Sequence, residues 1–512
     1  MIRKNLLRKL LVLCVSSLGL TSMVSCGKEV DDPTVLTIHI NRKGNGDKFV
    51  YALADKFTEI YGNKVDIKST PLDDLTRTKL KSGANNNNVD LFMAVDEMFD
   101  LIAMGKNALI GYDSIFTDLT DVYEDYGYNS NIKIKDFIDK DAYDYYTTDN
   151  KQWIIPYIQN CTGIVYNKAL FDKVGIKQVP RTTNELIETC EKLKNAGITS
   201  FIYPGKYDYW KNVYSVWWAQ YEGMDNINLF LERKDSNGMY SVDCYKQPGR
   251  LYCLEVLEEL LKPSNGYADR NANTYEFTQA QVKYLEGEGA MMPNGDWLEN
   301  EMNENFGDEK LEIKFMKTPI ISKLGTKLNI SEEELISIID YVDGTTSTKP
   351  NLADEIINTV KEARTYVVGG TNAAQAFIPV YSNAIELAKN FLKLMYSPTG
   401  AEIFFESTKG LTLPVKYDYK NSPTYSKISY FQQGKIDYIK DAKFFAITSK
   451  KYPMVYAGNT AAFFVDSGCL EKNLGTNSVN DLKTAKELYQ YDINYYQARW
   501  DSIMSQAGVS ND

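Results

Sequence analysis

The sequence predicts an α/β protein of more than one domain, on three observations. Its 512 residues exceed the roughly 250–300 at which a single hydrophobic core stops growing. From Val35 onward, short β-branched runs alternate with helical periodicities, the pattern of right-handed βαβ units on a parallel sheet. The stretch 151–166 (KQWIIPYIQNCTGIVY) reads as one extended segment that leaves one sheet and enters another, an interdomain hinge.

The N-terminus carries Arg3, Lys4, Arg8 and Lys9, then an apolar run over 10–20. That is a secretory signal, too brief for an ordinary membrane span. Met23-Val24-Ser25-Cys26-Gly27 follows. It resembles a bacterial lipobox, whose cysteine takes lipid and becomes the first mature residue, although Met23 stands where the pattern prefers Leu. On that reading 1–25 is a lipoprotein signal peptide and 26–34 a polar tether, with the membrane met through the lipid on Cys26 alone. The alternative is ordinary cleavage nearby, with Cys26 a bystander.

Apolar content of 44% is globular. Losing residues 1–25 removes four basic and no acidic side chains, leaving 53 Lys and Arg against 68 Asp and Glu, a net charge of −15. That balance argues against nucleic acid or an anionic membrane surface as partner. Cys161, Cys190, Cys244, Cys253 and Cys469 are odd in number and irregularly spaced, so neither a disulfide framework nor a zinc site is expected. Cys244 and Cys253 are near enough in sequence to pair; free thiols are the favoured reading.

Taken in order, 35–40 (VLTIHI) is a first strand. Asn41 to Gly46 form a glycine-punctuated loop. Asp47 caps a helix with Phe49, Leu53, Phe57 and Ile60 on one face, stopped at Gly62. Residues 65–67 are a second strand, a helix runs through Leu72, Leu75 and Leu80, and 89–95 is a third strand. Ligands of parallel sheets sit beyond the carboxyl ends of the strands. Asn41, Arg42, Asp96 and Glu97 fall there; the alternative for each is a solvated loop residue. Thr183 caps a helix through Leu186, Cys190 and Leu193, and 198–203 is a strand. Tyr207, Asp208, Tyr209 and Trp210 crowd the loop after it. Trp210 follows a strand and a polar loop, which favours a site. Of Trp217 and Trp218, on different sides of one helix, one is expected in the core.

The stretch 284–297 (YLEGEGAMMPNGDW) ends one helix at Gly287 and Gly289, passes a buried run, turns at Pro293-Asn294-Gly295 and starts another helix. Asp296 reads as its N-cap, with Glu299 completing a capping box. Trp297 then lies in the first helical turn, a flat apolar face beside free N–H groups. It suits a sugar ring or, alternatively, the core. Residues 311–315 form a strand, about 322–364 a helical insertion with a Ser331–Glu334 capping box, and 367–372 a strand meeting glycines. An amphipathic helix follows Ser382, and the C-terminal part is helical and tyrosine-rich.

Four blocks in order carry a resemblance: 153–176 with 181–198; EGEGAMMPNGDW ending at Trp297; VVGGTNAA over 367–374; and 383–414 (NAIELAKNFLKLMYSPTGAEIFFESTKGLTLP). With the lipobox, the chain resembles the family 1 extracellular solute-binding proteins of ABC transporters, the maltose-binding-protein-like group. The resemblance implies a two-lobed clamshell, each lobe a mostly parallel sheet flanked by helices. The N-terminal lobe would comprise 35–155 plus 312–397, and the C-terminal lobe 156–311 plus 398–512. Hinge strands would lie near Tyr157 to Val165, after Thr318 and near Pro398. It implies ligand contacts from Asn41 and Arg42 in the first loop, Asp96 on sugar hydroxyls, Asn160 in the hinge, Trp297 stacked on a ring, and Asn372 in the glycine loop. Asp296 is counted with Trp297; Tyr209 and Trp210 fit loosely. The implied ligand is a carbohydrate, an oligosaccharide first, and the implied partners are ABC permease subunits, for a monomer on the extracytoplasmic face of a bacterial cell membrane.

Other functions stay open at this point. A secreted glycosidase needs two carboxylates flanking a bond, and no recognisable motif pairs them. The single histidine, His39, removes most Ser-His and Cys-His schemes and a His-rich metal site. No catalytic residue, metal or cofactor is expected. A binding protein for a polyamine, anion or peptide, and a surface adhesin, are further alternatives.

Overall fold

The computed structural model describes residues 32–42, 44–71, 74–83, 88–102, 114–306, 312–370, 374–446, 449, 451–457 and 470–511. Cys26, Asn372 and Cys469 lie outside them. In chain order the strands used below are β1 (Val35–Asn41), β2 (Lys64–Thr70), β3 (Leu91–Ala94), β4 (Ile155–Pro156), β5 (Asn160–Asn167), β6 (Met291–Gly295), β7 (Ile313–Met316), β8 (Tyr366–Gly370), β9 (Gln375–Phe377) and β10 (Lys443–Phe445). Three helices matter: α1 (Lys48–Tyr61), α2 (Leu298–Phe306) and α3 (Tyr430–Ile439).

The strands form two sheets, one per lobe. The first runs β2-β1-β3-β9-β4. It is parallel over β2, β1 and β3, with Ile38 opposite both Ile67 and Leu91. β9 then enters antiparallel to β3 and to β4. Alternation gives this sheet two packed faces. Leu91 and Met93 join the cluster under α1, while Phe92 and Ala94 join a smaller one with Trp153 and Phe377. α1 closes at Gly62 with φ 75°, the left-handed cap its glycine permits.

The second sheet runs β10-β8-β5-β6, with β7 also on β5. Around β5 it is antiparallel, to β6, β7 and β8; only β10 and β8 run parallel. The expectation of two mostly parallel sheets therefore holds for one end of the first sheet, because β5 is met by returning strands rather than by crossovers.

Two corrections to the lobe boundaries follow. Residues 312–370 do not return to the first lobe. β7 pairs with β5, Ile164 opposite Met316, and the insertion buries Leu335, Ile338, Ile339, Ile357 and Val360 in the second core. Its Ser331–Glu334 capping box forms as expected. Conversely, 398–415 belongs to the first lobe: Ala401, Phe404, Phe405, Leu411 and Leu413 lie in its core, and Phe404 meets Phe49 at 4.7 Å. The chain thus crosses between lobes at 158–161, at 370–374 and after Ile428, not after Thr318 or at Pro398.

Cys161, Cys190, Cys244 and Cys253 are free and buried. Trp217 and Trp218 are both core: their Nε1 atoms donate to the Pro319 carbonyl at 3.1 Å and to Gln247 Oε1 at 2.8 Å. His39 lies edge-on to Phe92 at 5.6 Å, and burial beside Lys79 and Lys68 pushes it down to about 4. No helix among the described residues is long and apolar enough to cross a membrane.

Candidate functional site

The second lobe presents its wall through the turn between β6 and α2. Gly295 ends β6, and a Cβ there would sit 2.3 Å from ring carbons of Trp297. Only glycine lets the indole come this close to the strand end. Trp297 is half-buried, so part of its side chain stays open. Glu301, four residues on, shares its helical face, and its N–H donates to the Trp297 carbonyl at 2.9 Å. Glu301 Oε2 accepts from Gln281 Nε2 at 2.6 Å. Burial pushes the Glu301 carboxyl up, with the Gln281 bond opposing. Tyr209 sits beside both; burial first, and the Glu301 charge second, push its hydroxyl up to about 12.

The first lobe faces this wall with the loop after β1. A Cβ on Gly44 would lie 2.6 Å from Glu301 Oε1, so the two lobes touch at this rim. Asn41 is buried at the end of β1, and Arg42 is exposed with its N–H on the Thr70 carbonyl at 3.0 Å. Asp96, past β3, is half-exposed and takes Arg77 Nε on Oδ2 at 3.2 Å. Arg77 forks onto Asp100 at 2.8 and 3.0 Å and also donates to the Glu97 carbonyl. The carboxylate of Asp96 is thus held by a guanidinium and keeps acceptor capacity.

A second contact joins the lobes. The Tyr145 hydroxyl donates to Glu97 Oε1 at 3.2 Å and shares a 2.5 Å hydrogen bond with Ser449 Oγ. Lys451 Nζ donates to the Tyr145 carbonyl at 2.5 Å and lies over the Phe99 and Tyr145 rings at 5.9 and 5.1 Å. Burial pulls the Lys451 ammonium down.

Asn160 lies at the first crossing, 8% exposed, and its Oδ1 has no hydrogen-bond partner among the described residues. Gly369, at φ 147°, brings its backbone against the Asn160 carbonyl, where a Cβ would stand at 2.5 Å. A cavity of about 540 Å³ opens at the same crossing, lined by Asp139, Tyr145, Gln159, Gly370, Thr412 and Phe444 among others. Gln159 lines it and Asn160 does not; successive extended residues face opposite sides. Arg42, Asp96, Tyr209 and Trp297 do not line it either, so the cavity is not the site the sequence points to.

Two expected site residues are elsewhere. Trp210 is fully buried, packed on Phe201 and Tyr203 at 4.9 and 5.9 Å. A place after a strand said nothing of its burial. Asp296 is fully buried and caps no helix, because α2 begins at Leu298. Its Oδ1 accepts from the Cys161 N–H at 3.4 Å, and Lys435 Nζ stands 3.6 Å from Oδ2. Glu299 accepts instead from Ser429 Oγ at 2.7 Å. The sequence reading missed Glu301, Tyr145 and Lys435. Only Glu301 carried a signal, its i+4 spacing from Trp297. No group of three or more His, Cys, Asp or Glu among the described residues is arranged to hold a metal ion.

A family model described as bacterial extracellular solute-binding protein matches residues 43–402. The diacetylchitobiose binding protein NgcE of Streptomyces coelicolor is 25% identical over 209 residues, 40% of this chain and 42% of that one. The multiple sugar-binding protein of Streptococcus mutans is 26% identical over 174 residues, 33% of this chain and 38% of that one. The matches therefore span less than half the length of these curated relatives. Among solved structures, maltose-bound T. maritima MalE3 superposes with a TM-score of 0.60 at 16% identity, over 91% of this chain and 99% of that chain, a likeness of fold.

Proposed function

The chain belongs to the bacterial extracellular solute-binding proteins, and on that premise we propose that it captures a carbohydrate, an oligosaccharide first, between its two lobes. The family is one of binding proteins, not of enzymes. Bound carbohydrate passes to the permease subunits of an ABC importer, and the protein works as a monomer on the extracytoplasmic face, held by lipid on Cys26. The names of two relatives, binders of diacetylchitobiose and of multiple sugars, support the ligand class.

One observation carries the reading: the half-buried Trp297 indole packs against Gly295, beside Tyr209 and Glu301 and across from the loop after β1. An aromatic face covers the apolar face of a pyranose, and carboxylates accept its hydroxyls. Asp96, fixed by Arg77, supplies a carboxylate from the other lobe. Asn160 offers an unused acceptor at the crossing. Asn41 and Arg42 flank the same entrance, and Asn372 is assigned there by resemblance alone.

Titration calorimetry with diacetylchitobiose, maltose and raffinose tests the ligand class. Trp297→Ala is expected to lose about 3 kcal/mol of binding, typical of an aromatic anchor, with an unchanged unfolding midpoint. Wild-type affinity in the folded variant would remove Trp297 from the site. Shortened oligosaccharide after incubation would mark an enzyme instead.

A further inference from the structure

Lys435 and Asp296 are both 0% exposed, yet 3.6 Å separates Nζ from Oδ2, and that oxygen has no hydrogen-bond partner. Burying two charges costs more than their attraction returns unless the geometry is tight and every lone pair is met. As a source of stability this pair is poor, so its explanation lies in what it joins. On one side Lys435 Nζ donates to the Gly410 carbonyl at 2.7 Å. Gly410 belongs to a first-lobe segment, whose Thr412 carbonyl accepts from the Gln159 N–H of the first crossing at 2.8 Å. Gly410 has φ 121°, and a Cβ on it would stand 2.7 Å from that of Gln432. On the other side Gln432 Nε2 donates to the Asp296 carbonyl at 3.1 Å. One turn of α3 therefore touches the first-lobe Gly410 segment and the residue before Trp297 with the same two side chains.

We propose that Lys435 and Asp296, with Gln432, are positioning residues through which the first-lobe Gly410 segment sets the pose of the Trp297 ring. Movement of the first lobe and the orientation of the indole are then one motion. The Asp296 N–H, bonded to the Cys161 carbonyl at 3.0 Å, fixes the same turn to the first crossing, so the residue before Trp297 is tied at once to that crossing and, through Lys435, to the first lobe. The inference rests on Trp297 belonging to the binding cleft, and its test separates the two.

Of the six tryptophans, Trp153, Trp210, Trp217, Trp218 and Trp500 are buried and Trp297 is half-buried. Iodide quenching of intrinsic fluorescence therefore reports chiefly on Trp297, with no ligand required. The double variant Asp296→Asn/Lys435→Met keeps the volume and strands no charge, so it is expected to unfold at or above the wild-type midpoint. Its quenching constant should rise. Its affinity for whichever of diacetylchitobiose, maltose and raffinose binds wild type should fall about tenfold, the scale on which supporting residues act. Gln432→Met should move both readings the same way, and it decides the matter if the double variant fails to fold. Wild-type quenching and wild-type affinity in a folded variant would overturn the proposal. If none of the sugars binds wild type, the carbohydrate reading falls while the quenching comparison still judges the pair.

Discussion

Among the described residues of the second lobe, two ion pairs have both partners out of water, and they are built differently. Arg250 donates directly to Asp492 and, at 2.5 Å, to the Tyr245 carbonyl. Its guanidinium lies 5.0–5.6 Å from the centroids of Tyr245, Trp218 and Phe230. That pair clamps the helix Pro248–Leu261 to the helix Ala485–Gln497. Lys435 and Asp296 sit apart at 3.6 Å, with an unmet carboxylate oxygen, between the first-lobe Gly410 segment and the Trp297 turn. A planar fork among rings holds one geometry; an ammonium on a flexible stem tolerates several. The tight pair belongs to architecture; the loose one is the pair proposed above to link lobe movement to the Trp297 ring.

The largest effect that would test this contrast comes from breaking the tight pair. Asp492→Ala leaves Arg250 charged and buried, and about 3–5 kcal/mol of stability should go, measured by urea unfolding. Affinity in whatever remains folded should be unchanged. A variant that kept its stability but lost affinity would exchange the roles of the two pairs.

The next effect is smaller and depends on pH. Burial pushes the Asp296 carboxyl up to about 6 from an ordinary 3.8, Lys435 opposing. Because the folded value is the higher one, its contribution to stability is complete below about 3.8 and is lost as pH rises through about 6. Relative to Asp296→Asn, wild type should therefore lose at most about 3 kcal/mol between those limits, read from unfolding curves at successive pH. Parallel stability profiles for the two proteins would mean that the carboxyl is not strained by burial.

The smallest effect concerns a neutral contact. Tyr145→Phe keeps the ring beneath Lys451 and deletes the hydroxyl shared with Glu97 and Ser449. It should cost the closed form about 1 kcal/mol. The radius of gyration from small-angle scattering should then rise, with little change in unfolding midpoint. An unchanged radius would reduce that bridge between lobes to a surface contact.

How far the sequence could be read follows from which interactions are local. The turn expected at Pro293-Asn294-Gly295 does not form: those residues end β6 opposite Ile164, Gly163 and Thr162, because pairing with β5 overrides their local turn preference, and the chain turns two residues later at Asp296-Trp297. The capping box at Ser331 is local and forms. The one proposed at Asp296 does not, because a buried ammonium 139 positions away stands against the carboxylate that would have capped. No periodicity marks Lys435 as different from any other lysine of an amphipathic helix. Likewise a β-branched run declares a strand but not its neighbour. β7 looked like a return to the first sheet until β5 proved to be its partner. Trp210 shows the same limit at the site: loop position was legible, burial against Phe201 and Tyr203 was not.

The order of the first sheet, β2-β1-β3-β9-β4, has a consequence for how the protein is made. β9, at Gln375–Phe377, is the wedge between strands that end near Ala94 and begin near Ile155. Until that tripeptide has left the ribosome, β3 has an unpaired edge and β4 has no sheet to join. The helix Pro398–Ser407, which covers α1 through Phe404 and Phe49, arrives later still. Synthesis thus runs through most of the chain before its N-terminal lobe can close.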